Sequence, residues 1–102
     1  MKLGALFSKP GHKEFAENLA REFIDSFPPE LAKHIANKKN QIKFRKTINK
    51  IGTKARDYRK AAKLGVYGKA KIGNTFMWVL KEQGYDEKLV ESITNDLLHV
   101  LD

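Results

Sequence analysis

Apolar residues recur with the period of an amphipathic helix in residues 12–27, and charged residues occupy the opposite face of that helix. The apolar stripe consists of Phe15, Ala16, Leu19, Ala20, Phe23, Ile24 and Phe27. Pro28 and Pro29 end the helix, because proline lacks a backbone donor and moves the preceding residue out of the helical region. Proline is also favoured at the first helical position, so we expect a short second helix over about residues 29–37.

A longer helix is predicted over about residues 39–64, where apolar residues alternate by four and three positions. These residues are Phe44, Ile48, Ile51, Ala55, Tyr58 and Ala62. Gly52 interrupts the pattern, and glycine inside a helix costs about 1 kcal/mol relative to alanine. A kink at Gly52, or a division into two helices, therefore remains open.

Three glycines within residues 65–73 predict a loop. Asn74 or Thr75 would then cap a helix over about residues 75–83. The run at residues 76–80 is apolar on all sides, which is typical of a buried central helix. A buried strand has the same pattern, but the polar exit that ends at Gly84 favours a helix.

Asp86 is a good N-cap for a last helix over residues 87–101, which would form an antiparallel αα-hairpin with its predecessor over about residues 75–101. The whole pattern predicts an all-α fold, with residues 1–102 forming a single small domain of four to five helices. Residues 1–9 are assigned to no helix, and a flexible segment is one interpretation of them.

Charge is concentrated in the middle of this predicted bundle. Residues 32–71 contain fourteen Lys or Arg and one acid, Asp57, which makes a net charge of +13. Residues 1–31 sum to −1 and residues 72–102 to −4, so the whole chain carries +8. Concentrated like charge destabilises a compact state unless opposite charge compensates it. The block therefore indicates a polyanionic partner, or acidic flanks that fold back onto it.

On the predicted long helix, the basic side chains lie away from the apolar positions and form a ridge about 30 Å long. Its candidate nucleic-acid contacts are Lys39, Lys43, Arg45, Lys46, Lys50, Arg56, Arg59, Lys60 and Lys63. Phosphates along a nucleic-acid backbone match such a ridge. Because lysine acts as a point charge whereas arginine favours bidentate base contacts, the composition favours sequence-independent binding of DNA or RNA.

The predicted loop would extend this surface. Lys69 and Lys71 precede the expected helix start, where backbone N–H groups attract anions, and Tyr67 is the candidate for stacking on a base. Residues 64–68 resemble the hairpin of helix-hairpin-helix DNA-binding domains. The second glycine comes one residue late, however, and Ile72 stands where that pattern has alanine. A plain connector between helices is the alternative interpretation.

Other chemistry has little support. We find no catalytic motif and expect no enzyme, cofactor or metal, since the three histidines are far apart and cysteine is absent. Four aromatic residues on apolar faces are assigned to the core: Phe44, Tyr58, Phe76 and Trp78. With neither a signal-peptide core nor a transmembrane segment, we expect a cytoplasmic protein.

Two alternatives to nucleic-acid binding remain. One is a protein-interaction module, which binds an acidic protein or forms a homodimer through residues 87–101. The other is attachment to an anionic membrane surface, which the narrow, alanine-rich apolar seam of the long helix disfavours.

Overall fold

The computed structural model describes residues 11–102. They form five helices: α1 (His12–Ser26), α2 (Pro29–Ala32), α3 (Lys38–Ala61), α4 (Gly65–Glu82) and α5 (Glu87–Leu101). No strand occurs in this part of the chain, so the predicted all-α fold is confirmed. None of these helices combines the length and the apolar character that a bilayer crossing requires. Residues 1–9, which the sequence left unassigned, lie outside the described residues.

Helix α1 follows the sequence prediction closely. Its buried side consists of Ala16, Leu19, Ala20 and Phe23. The helix ends before the two prolines, where the Phe27 N–H donates to the Phe23 carbonyl. Helix α2 is a single turn, much shorter than expected. Asn37 does not belong to it but caps α3, because its side-chain oxygen accepts from the N–H groups of Lys39 and Asn40 at 2.8 and 3.3 Å.

Helix α3 is continuous through Gly52, which settles the question of a kink or a division. Its buried positions are Thr47, Ile51 and Ala55. Gly52 lies beneath α5, where a Cβ atom would meet Val100 Cγ2 at 4.0 Å. The C-terminal part of α3 packs on α1 through Tyr58, whose ring stacks on Phe15 with the centroids 3.9 Å apart. These contacts pack one side of α3 against α1 and α5 and leave its outer side to solvent.

The prediction of a loop over residues 65–73 is wrong, because these residues form the first half of α4. Only Gly65 has a turn conformation, with φ +59°. Gly68 and Gly73 are buried inside the helix and permit close packing. A Cβ atom on Gly68 would lie 2.9 Å from the His12 ring, and one on Gly73 would lie 2.8 Å from Leu98. The glycines thus let α1 and α5 approach α4.

The later half of α4 also differs from the prediction. Asn74 and Thr75 lie inside the helix and do not cap it. Phe76 and Leu80 are fully buried, but 57% of Trp78 is exposed, so its assignment to the core is wrong. The physical reason is that α4 packs against α1 and α5, and its outer face has no neighbouring helix in the described chain.

The four long helices form a closed ring in the order α1, α3, α5, α4, and each packs on two neighbours. The predicted αα-hairpin is present: Gly73 meets Leu98 and Lys69 pairs with Asp102, which is the pairing of antiparallel helices. Asp86 caps α5 as expected, accepting from two backbone N–H groups at 3.0 and 3.1 Å. The largest fully buried side chains lie at the centre of the ring: Phe23, Phe27, Phe76, Ile72, Leu80, Ile93 and Val90.

Candidate nucleic-acid interface

The basic side chains of α3 form two rows. The first row contains Lys39, Lys43, Lys46 and Lys50. Their spacing of four, three and four residues places them along one side of the helix over about 16 Å. This row faces the C-terminal end of α1, because Lys50 Nζ donates to Ser26 Oγ at 2.8 Å. Ser26 and all four lysines border one open cleft.

The second row contains Lys38, Arg45 and Arg56 and lies on the other side of α3. It faces α5, since Arg45 borders a groove together with Asp96. An uncharged strip separates the two rows and consists of Ile42, Asn49 and Thr53. Ile42 is 57% exposed. The ridge predicted from the sequence is therefore divided into two rows.

The remaining cations of the predicted ridge lie near the C-terminal end of α3. Lys60 is exposed in the last turn of the helix, and Lys63 is exposed in the connector to α4. Arg59 differs from them, because it is partly buried and its Nε has no hydrogen-bond partner among the described residues. The side chain of Arg59 is thus directed partly into the protein, not along the rows.

In the part of the chain that the structure describes, few acids of the flanks form ion pairs with the basic block. Glu22 of α1 bridges two lysines, with Oε1 2.6 Å from Lys54 Nζ and Oε2 3.7 Å from Lys50 Nζ. Asp102 pairs with Lys69. Within residues 11–102, no ion pair reaches the other cations of the two rows or the pair Lys60 and Lys63. The compensation that the sequence left open is therefore small.

The predicted loop residues occupy different parts of α4. Lys69 is held at the C-terminus of α5 by Asp102. Lys71 is partly buried in a groove between α1 and α4, beside Lys13 and Glu17. Tyr67 is 74% exposed in the first turn of the helix. Lys69 therefore does not share a site with Lys71 and Tyr67, and both lysines lie inside α4, not before its start.

The segment over residues 64–68 is the first turn of α4. Leu64 is the N-cap, and the Gly68 N–H donates to its carbonyl at 2.9 Å. The hairpin of the helix-hairpin-helix resemblance is therefore absent from these residues, and no phosphate-binding role is taken from it.

Sequence reasoning missed three features of this surface. Lys38 extends the second row, and it was omitted because the helix was expected to begin one residue later. Lys54 is engaged by Glu22, which helical angles on a single helix do not reveal. The exposure of Trp78 was missed because a contiguous apolar run does not show which of its residues points outward.

The apolar end of α5 packs under the fold. Leu97 and Leu101 are buried, Leu98 contacts the Gly73 position, and Val100 lies near Gly52. This packing removes the observation on which the expected homodimer through residues 87–101 was based.

Comparison of the chain with protein-family models, with curated proteins and with solved structures finds no match.

Proposed function

We propose that this protein is a small, non-catalytic nucleic-acid-binding protein that contacts the phosphate backbone through the outer side of α3. The supporting observation is the pair of basic rows on one continuous helix, most of whose cations have no ion pair in the described chain. The positive potential of these rows attracts polyanions. Binding then releases the counterions that had condensed on the phosphates. Binding thereby relieves the mutual repulsion of the block.

The chemistry of the rows favours binding without sequence preference. Four lysines form the first row, and lysine meets phosphate as a mobile point charge. The two arginines of the second row, Arg45 and Arg56, lie eleven residues apart, or about 16 Å along the helix, so they do not converge on one base pair. With cations on both sides of α3, phosphate contact does not depend on a single docking orientation.

The salt dependence of affinity tests the proposal. If about six cations each neutralise a phosphate, log K against log[salt] has a slope of about −5 on duplex DNA. Fluorescence anisotropy with labelled duplex and single-stranded oligonucleotides, between about 0.05 and 0.2 M salt, measures that slope. A flat dependence, or binding of acidic proteins with no retention of either nucleic acid, would contradict the proposal.

A further inference from the structure

The outer face of α4 carries two exposed aromatic side chains with polar residues between them. Tyr67, Lys71, Asn74 and Trp78 follow one another at intervals of four, three and four residues, which places them on one face of the helix. Tyr67 is 74% exposed and Trp78 is 57% exposed. The two rings are about 16 Å apart along the helix axis. We refer to these four residues as the aromatic stripe.

The side chain of Trp78 does not belong to the packed core of the fold. Its neighbours Phe76 and Leu80 fill the core, whereas the indole ring lies at the surface beside Lys81, whose Nζ is 5.3 Å from the ring centroid. A cation at that distance is attracted to the ring face, and it is also positioned to meet a phosphate next to a stacked base. Tyrosine and tryptophan are enriched at binding surfaces, because each combines a large apolar area with a polar group.

The charges around the stripe differ from those of α3. Lys13 and Lys71 line the groove beside Trp78, together with Glu17 and Glu82. With Lys81 included, three lysines against two glutamates leave only a small net positive charge, so this surface is poorly suited to binding phosphate through charge alone. Flat aromatic rings beside isolated lysines suit stacked bases that carry a phosphate between them.

From this arrangement, and on the basis of the function proposed above, we propose that the aromatic stripe binds single-stranded nucleic acid. Bases would stack on Trp78 and Tyr67. Lys71 would meet a phosphate between them, and Lys81 would meet a phosphate next to the base on Trp78. The proposed ligand is single-stranded because the faces of the bases are hidden inside a duplex and accessible in a single strand. Tyr67 lies four residues after Lys63, so the stripe begins where the basic surface of α3 ends.

Trp78 is the only tryptophan of the chain, so its fluorescence reports on the stripe directly. Titration with an oligothymidine of about fifteen nucleotides, within the range of known single-strand sites, is expected to quench the emission to saturation. A duplex at the same phosphate concentration is expected to bind, as measured by anisotropy, but to quench the emission of Trp78 only slightly. Single-strand binding that leaves Trp78 unquenched would overturn the inference while leaving the proposed function intact.

Substitution of Tyr67 separates stacking from charge. Tyr67→Ala is expected to weaken single-strand binding about tenfold, which corresponds to the lower range for one stacked base, and to leave duplex affinity and the salt slope unchanged. Tyr67→Phe is expected to restore the affinity, and Val66→Ala is the matched control at an exposed neighbour without a ring.

Equal losses for single strand and duplex, or no loss for either, would overturn the inference. Sedimentation that shows a dimer whose Trp78 is inaccessible to iodide would overturn it as well, because a second copy would then occupy the stripe. Absence of binding to both nucleic acids would instead contradict the proposed function on which the inference rests.

Discussion

On the proposed function, Glu22 would compete with phosphate for two lysines of α3, and its removal is expected to strengthen nucleic-acid binding. The carboxylate lies 2.6 Å from Lys54 Nζ and 3.7 Å from Lys50 Nζ. Glu22→Gln retains the size of the side chain but removes its charge, so both lysines become available. Because the lysine side chains are 47% and 53% exposed, the lost ion pairs are expected to cost less than about 1 kcal/mol of stability.

The expected gain follows from counterion release. Each additional phosphate contact steepens the salt slope by about 0.9. One or two newly available lysines therefore steepen it by about 0.9 to 1.8, and a single contact corresponds to about eightfold higher affinity at 0.1 M salt. Anisotropy titrations at several salt concentrations measure both quantities.

Glu91→Gln is the matched control. Glu91 is exposed on α5 and forms no ion pair among the described residues, so this variant changes the net charge equally without releasing a lysine of α3. Equal effects of the two variants on affinity and slope would refute the reasoning, since the gain would then reflect net charge and not the ion pairs of Glu22.

Further predictions concern stability, measured by urea unfolding. Gly52→Ala is expected to stabilise by about 0.5–1 kcal/mol, because its Cβ would lie 4.0 Å from Val100 Cγ2 without a clash, whereas Gly84→Ala is expected to destabilise at φ +94°. Tyr85→Phe is expected to cost about 1–2 kcal/mol at pH 7, because the buried hydroxyl donates to the Phe27 carbonyl at 2.6 Å. Burial, with a smaller contribution from Asp25, raises the pKa of Tyr85 to about 12 from its ordinary value of 10.0. The stabilisation that this shift contributes is therefore complete below pH 10 and decreases as the pH rises towards 12. The advantage of wild type over Tyr85→Phe is therefore expected to shrink by about 1.4 kcal/mol at pH 11, and a constant difference would contradict this assignment.

The helix boundaries that could be predicted are those with a local chemical cause. Pro28 and Pro29 end α1, and Asp86 begins α5, because missing donors and side-chain caps act within a few residues. The glycines of α4 could not be interpreted in this way. A glycine that provides a turn, such as Gly65, and one that admits a neighbouring helix, such as Gly73, look alike in a sequence.

The candidate site was predictable in composition but not in arrangement. Helical angles locate Lys43 and Lys46 on the outer side of α3, since both follow from its apolar seam. The pairing of Glu22 with Lys50 and Lys54 depends on how α1 crosses α3, which no local pattern encodes. The exposure of Trp78 depends likewise on which faces of α4 its neighbours cover.

The central claim is that the rows of α3, and not the net charge of the protein, bind phosphate. The double variant Lys43→Gln/Lys46→Gln and the control Arg21→Gln/Lys88→Gln each remove two exposed positive charges from the net +8. The most direct measurement is the salt slope of duplex binding for wild type and both variants. We expect the α3 variant to lower the slope by about 1.8 and the control to leave it unchanged. Equal slopes for the two variants would contradict the claim.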